Sequence, residues 1–220
     1  MTVTPPADLH KLPLFDVHEP PSTPLLYLPP LLSKLPEHVT SDPLLEKHQH
    51  RPLTTDTRLP AIDPTSLSLH KALHHFKHIT PDYAAVPYAE AFNWPELQLP
   101  INEEREWYCV AFRSQRKKES ESLSLYEADK LAHEEAVQNG GLILYWYGIP
   151  NPVTGMNLAT CIWQSRKHAI AASSHPRHIQ AMRLAAGAYE VYSLERYKIT
   201  KAKGEANITV ETYTGGEVGW

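Results

Sequence analysis

Apolar positions change their spacing along this chain of 220 residues, and the spacing predicts where each element lies. Beyond Pro100, continuous aromatic and apolar runs predict strands, because such runs are typical of buried sheet positions. Three-and-four spacing predicts one helix from Tyr126 to Asn139 and a second that begins after Ser165, breaks at Pro176 and continues to about Tyr192. The predicted strands cover residues 107–112, 142–147, 158–163, 195–200 and 207–213.

The order of these elements, β-α-β-β-α-β, predicts an α+β fold of the ferredoxin-like kind over residues 100–220. Both helices then lie on one face of an antiparallel sheet and leave the other face bare. Aromatic side chains alternate to both sides of the second strand, with Tyr145 and Tyr147 on one side and Trp146 on the other. A bare face of this kind is too apolar for water, so we expect a homodimer in which the sheets of two copies cover each other.

The first hundred residues differ in composition, since they hold seventeen of the twenty prolines and none of the nine glycines. We expect residues 1–64 to form an extended proline- and leucine-rich arm that packs on the core or on a partner subunit, because its leucines otherwise stay exposed. A disordered tail that carries proline-rich ligand motifs is the alternative. Residues 65–99 are predicted to be a short helical segment packed on the core. Its histidines at positions 70, 74, 75 and 78 are interpreted as solvated rather than metal-binding.

Charge and cysteine content narrow the class of protein. The net charge of −4 argues against nucleic acid as the main partner, because phosphate binding needs a basic surface. Two cysteines do not make a secreted disulfide framework, and the N-terminus lacks the apolar run of a signal peptide. No apolar stretch is long enough to span a bilayer. We therefore expect a soluble, cytoplasmic protein without a membrane partner.

Several short segments carry a resemblance to a known family. They are Gly140-Gly141-Leu142 through Gly148, Asn157 through Ser165, Pro176-Arg177-His178 and Tyr189-Glu190. Together they resemble an uncharacterised family of fungal cytosolic proteins, which implies no particular activity. More distantly, a strand that ends in Trp163-Gln164-Ser165 before a helix with an inward histidine is similar to the dimeric α+β barrel superfamily. That superfamily includes antibiotic-biosynthesis monooxygenases, EthD-like decarboxylases and haem proteins, and the likeness implies a fold but no mechanism.

In such a fold we expect a pocket between the sheet and the helices. An imidazole near neutral pKa beside aromatic walls suits proton transfer, so His178 is the main candidate for a general acid or base. The other predicted catalytic residues are His175 and Tyr145, and the predicted substrate-binding residues are Trp146, Tyr147, Trp163, Arg166 and Asn157. Arg166 is included because a guanidinium binds carboxylate or enolate oxygens.

These residues favour a cofactor-free enzyme, a lyase, isomerase or cyclase, that acts on an aromatic or polyketide-like small molecule by general acid-base catalysis. Three alternatives stay open on the sequence alone. They are a haem or ligand carrier with a histidine as axial ligand, a cofactor-independent monooxygenase, and a non-catalytic dimeric scaffold whose arm binds a partner. No metal site and no dinucleotide or phosphate-loop motif is predicted.

Overall fold

A computed structural model of the protein describes residues 13, 21–29, 62–118 and 122–219. The elements in chain order are β1 (Leu25–Tyr27), α1 (Pro64–Ala72), α2 (Tyr88–Ala91), β2 (Arg105–Arg116), α3 (Ser122–Asn139), β3 (Leu142–Tyr147), β4 (Met156–Trp163), α4 (Arg166–Ser173), α5 (Pro176–Ala188), β5 (Tyr189–Lys201) and β6 (Ile208–Thr212). Two short 3₁₀ turns, Leu73–His75 and Trp94–Glu96, follow α1 and α2.

The sheet has six antiparallel strands in the order β1-β3-β4-β2-β5-β6. Across the sheet, its four central strands lie in the order β3-β4-β2-β5. In the unit β2-α3-β3-β4-α4/α5-β5, these are the second, third, first and fourth strands along the chain. This is the ferredoxin-like α+β arrangement, and the fold class predicted from the sequence is confirmed. Strands β1 and β6 extend the sheet at its two edges.

Local chemistry sets the ends of the helices. Ser165 caps α4 by accepting the backbone N–H of His168, and α1 begins where the Asp63 carboxylate accepts the N–H of Ser66. Helix α3 ends at Gly140 and Gly141, whose φ angles of 86° and 85° lie in the left-handed region that favours glycine.

The predicted end of the last helix was wrong. Helix α5 stops at Ala188, and Tyr189 to Tyr192 belong to β5. The reason lies in β2, which was predicted to end at Phe112 but continues to Arg116. The added length of β2 gives the first half of β5 a partner for its backbone hydrogen bonds.

The expectation of a bare sheet face was also wrong, because the chain covers that face with its own residues 62–99. Rings of Phe76, Phe92 and Trp94 pack together there, and Phe92 lies edge-on to Trp146 with ring centroids 5.0 Å apart. The cover is tied down by a buried ion pair between Arg105 and Asp63, 3.2 Å long. Helices α3 to α5 lie on the opposite face, so the fold has three layers.

With that face covered, the reason for expecting a homodimer is gone. Assembly itself stays a prediction, to be checked by light scattering against the chain mass of 24.9 kDa. Most of the predicted arm, residues 1–64, lies outside the described residues. Its described part includes β1, which pairs with β3, and the buried Tyr27 and Leu28.

Arg113 supplies the first test of the fold. Its guanidinium donates to the carbonyl oxygens of Ala84 and Val86 at 2.6 and 2.7 Å and to the Glu195 carboxylate at 2.7 Å, and so fixes the cover to the sheet. Arg113→Lys keeps the positive charge but loses the planar guanidinium, whose several N–H groups donate to these acceptors at the same time. We expect it to lower the free energy of unfolding in urea by roughly 1–3 kcal/mol.

Lys77→Ala is the matched control, because Lys77 also lies on the cover but is exposed and pairs with the exposed Glu96. Its effect should stay within about 1 kcal/mol. Equal losses in the two variants would show that Arg113 does not hold the layer.

Candidate functional site

A cavity of about 130 Å³ lies between the sheet and helices α3 and α5. Its walls are mainly aromatic and apolar, with a few polar groups among them. The lining residues are Phe112, Ser114, Leu125, Tyr126, Asp129, Ala132, His133, Ala136, Leu142, Tyr145, Tyr147, Ala159, Cys161, Trp163, His178, Ala181, Met182, Ala185, Tyr189 and Tyr192. An apolar pocket with a few convergent polar groups is the usual form of a small-molecule site.

The structure brings four of the sequence-predicted site residues together at this cavity: Tyr145, Tyr147, Trp163 and His178. Strands β3 and β4 present the first three from the sheet, and His178 comes from the first turn of α5. Trp163 donates its indole N–H to the Cys161 sulfur at 3.0 Å, which fixes the ring against the cavity wall.

The other predicted residues lie elsewhere. Trp146 is 2% exposed on the opposite face of the sheet, within the aromatic cover, because alternate residues of β3 face opposite ways. Arg166 lies beside Tyr213 and 3.6 Å from the Glu217 carboxylate, in a separate surface groove.

The last two predicted residues also lie outside the cavity lining. Asn157 is buried near Gly148. His175 is the N-cap residue of α5, and its Nε2 lies 3.2 Å from Asn139 Oδ1.

The central polar feature of the cavity is a carboxyl group held by a phenol. The hydroxyl of Tyr145 donates to Asp129 Oδ2 at 2.9 Å. Desolvation by the surrounding apolar walls raises the pKa of Asp129 to about 6, although the bond from Tyr145 opposes that rise. Desolvation, and then the neighbouring Asp129 charge, hold the pKa of Tyr145 well above its ordinary value. Near neutral pH, Asp129 is therefore a carboxylate within reach of protonation, and Tyr145 is a neutral donor.

His133 lies one helical turn beyond Asp129 on α3 and faces the same cavity. Its ring stands edge-on to Tyr145 and to Tyr27, with centroids 4.4 and 4.9 Å away. Burial lowers its pKa to about 3, so the imidazole is neutral at physiological pH. Its Nε2 atom is buried and has no hydrogen-bond partner among the described residues.

His178 is held at the rim of the cavity by its backbone. Glu135 of α3 accepts the N–H groups of Arg177 and His178 at 3.1 and 3.2 Å, and so caps the first turn of α5 from a neighbouring helix. Burial lowers the pKa of His178, while the nearby Glu135 charge raises it. The side chain is thus a mainly neutral imidazole near pH 7, able to accept a proton.

Asp129 and His133 were missed by the sequence analysis, although a signal for them exists. Both lie at four-residue steps from the buried Leu125, on the apolar stripe of α3. Three-and-four spacing also fits a register that includes Leu131, which is 39% exposed, so the spacing alone does not select the buried side. A carboxylate and an imidazole on the buried side of a helix are unusual enough to mark a functional site.

Comparison with known proteins places the chain in a family. The family model described as PB2B2.08-like matches residues 47–212. The chain belongs to the PB2B2.08-like family. A relative, UPF0643 protein PB2B2.08 of Schizosaccharomyces pombe, is 36% identical over 140 residues, which cover 56% of this chain and 62% of the relative. The resemblance to an uncharacterised fungal family is thereby confirmed.

Solved structures with a related shape include two candidate antibiotic biosynthesis monooxygenases. The protein from Nitrosomonas europaea is 13% identical, with 46% of this chain and 91% of that chain covered and a TM-score of 0.34. The protein from Chloroflexus aurantiacus is 15% identical, with 46% and 98% covered and a TM-score of 0.34. Since both scores are low, the fold assignment of this PB2B2.08-like chain rests on its own strand order.

Within residues 62–118, 122–219 and the short described stretches before them, no three His, Cys, Asp or Glu side chains are grouped to hold a metal ion. In the same part of the chain, no helix is long and apolar enough to cross a membrane.

Asp129 should make the protein less stable as the pH rises. Its folded-state pKa is raised, so the folded chain binds the proton more tightly than the unfolded chain, and stability falls between about pH 4 and pH 6 and stays lower above. Asp129→Asn keeps an acceptor for Tyr145 but carries no charge. We expect this variant to exceed the parent at pH 8 by roughly 1–3 kcal/mol in unfolding free energy, and the gain to shrink at pH 5.

The control is Asp82→Asn, which changes an exposed aspartate on the cover. Urea denaturation at both pH values should find it indistinguishable from the parent. If Asp129→Asn shifted stability equally at pH 5 and pH 8, the raised pKa would be contradicted.

Proposed function

We propose that this chain is a cofactor-free enzyme that moves a proton on a single-ring substrate bound between the sheet and helices α3 and α5, with Asp129 as the general base. The class of reaction is isomerisation or a related lyase step. The observation that carries the proposal is a carboxylate with a pKa of about 6, set in an apolar cavity and held by Tyr145. A base whose pKa lies near the working pH is largely deprotonated and still basic enough to take a proton from the substrate.

The step balances without a co-reactant. Asp129 takes a proton from the carbon next to a ring carbonyl, and the electron pair moves onto the carbonyl oxygen as an enolate. The carboxyl group then returns the proton to another ring carbon, and a double bond has moved. Tyr145 stays bonded to the carboxylate and orients it toward the ring.

The volume of the cavity limits the size of the substrate. A cavity of ~150 Å³ lined by apolar side chains admits benzene, and this one measures about 130 Å³. A single six-membered ring therefore matches it, whereas a polycyclic polyketide does not unless a helix moves. A porphyrin has four pyrrole rings and exceeds the cavity by a wide margin, so its size argues against the haem alternative.

Hydrogen–deuterium exchange tests the chemistry without knowledge of the natural substrate. Full-length protein is incubated in D₂O with cyclohex-3-en-1-one, and proton NMR follows loss of the α-proton signal and appearance of cyclohex-2-en-1-one. We expect the parent to accelerate exchange over buffer and Asp129→Asn to lose roughly 10²- to 10⁴-fold of that rate. Asp82→Asn should keep the full rate, and an unchanged rate in Asp129→Asn would refute its role as base.

The pH profile follows from the direction of the pKa shift. A base must be deprotonated, so the exchange rate should rise with pH through about 6 and then level off. A profile that falls over the same range would assign Asp129 as an acid instead.

His178 is the second candidate proton carrier, from α5 on the other side of the cavity. If it takes part, His178→Ala should lower exchange by roughly 10²-fold or more with the fold intact, since the backbone N–H that Glu135 accepts is kept. If His178 only packs, exchange in this variant should follow its stability alone. Circular dichroism melting of the same preparation separates the two results.

A further inference from the structure

His133 carries a feature that the proposed function does not use. It is 6% exposed, it lines the cavity, and its Nε2 has no hydrogen-bond partner within the described part of the chain. A buried polar atom left unpaired costs about 1–3 kcal/mol, so proteins seldom keep one without a use. His133 lies in the wall where a bound ring would sit.

We infer that His133 is the ligand-recognition residue of the cavity, and that its Nε2 bonds to an oxygen carried directly on the ring of a neutral, single-ring phenol or cyclic ketone. This inference deepens the proposed function. The part of it that concerns catalysis rests on that function, whereas the part that concerns binding does not. With a ketone, His133 donates Nε2–H to the carbonyl oxygen, where the enolate charge forms when Asp129 removes the proton. With a phenol, the same atom donates to or accepts from the hydroxyl.

The surroundings explain why the ligand must be neutral. The imidazole has a pKa of about 3, so it does not become a cation that could pair with an anionic ligand. Asp129 lies four residues earlier on the same helix and is a carboxylate above pH 6. A benzoate or phenolate would place a second negative charge beside it in an apolar wall, which is unfavourable.

The geometry of the ring supports a recognition role over a packing role. Tyr145 and Tyr27 contact the imidazole edge-on. These aromatic packing contacts hold the orientation of the ring. The ring is thereby fixed, and its Nε2 is left without a hydrogen-bond partner among the described residues. Fixed donors that need no rearrangement are the form that substrate recognition takes in well-ordered sites.

Binding of matched ring compounds tests the inference. Calorimetric titration of full-length protein at pH 7.5 compares phenol with toluene, which has the same shape but a methyl group in place of the hydroxyl, and with benzoate. We expect phenol to bind at least about tenfold more tightly than toluene and than benzoate, the ratio that one hydrogen bond of about 1.4 kcal/mol provides.

Two variants separate recognition from packing. His133→Leu places an apolar side chain of similar volume at this position. Because leucine offers no hydrogen bond, phenol and toluene should bind to this variant within about threefold of each other. His133→Gln keeps an amide near the position of Nε2 and should restore part of the preference for phenol. Because the orphan polar atom is removed, His133→Leu should melt no lower than the parent, whereas a purely structural histidine would make it less stable.

Each outcome of the titration decides a different point. Equal binding of phenol and toluene by the parent, or a phenol preference that survives in His133→Leu, overturns the role of His133 and leaves the exchange chemistry standing. Tighter binding of benzoate overturns the requirement for a neutral ligand. A phenol preference without deuterium exchange keeps His133 as a binding residue and refutes the proposed reaction. If no ring compound binds, both proposals fail.

Discussion

The whole fold depends on the need to bury both faces of the central strands. Strand β3 is buried at each of its six positions, and no polar residue interrupts it. One face is covered by helices α3 to α5, and the other by residues 62–99, which the buried Arg105–Asp63 pair and the Trp107–Ser66 hydrogen bond fix in place. Because the aromatic cover completes the core within one chain, the cavity on the helical side needs no second copy to exist.

The sequence was informative where short-range rules decide the structure. The bounds of β3 were predicted to the residue, since an unbroken apolar run ended by glycines has one reading. Residues 65–99 were predicted to pack on the core, but not to cover the second face of the sheet, because spacing does not encode contacts between distant parts of the chain. The switch from α5 to β5 at Tyr189 was missed although Gly187 stands two residues before it, because a single glycine within a helical pattern does not by itself end a helix.

The candidate site shows the same division. Aromatic walls from β3 and β4 were predictable, because alternation along a strand sends Tyr145 and Tyr147 to one side. Whether Asp129 and His133 face the cavity depends on the rotation of α3 about its axis. The sequence leaves that rotation ambiguous, because alanines lie on several sides of the helix. Once that rotation is known, the two residues have opposite shifts from one cause, since desolvation raises the pKa of the acid and lowers the pKa of the base.

The walls of the cavity differ in how deeply their side chains are buried. The sheet and α3 contribute buried side chains on their cavity sides, whereas none of the thirteen residues of α5, all of them described, is fully buried, and Met182 is 45% exposed. Because segments with few buried side chains open at lower free energy than the core, we expect α5 to move more readily than the sheet. Glu135 holds the first turn of α5 through two backbone N–H groups, and a hydrogen bond of this kind can break and form again without unfolding the core. The wall that closes the cavity beside Asp129 and His133 is thus also the one with the fewest buried side chains.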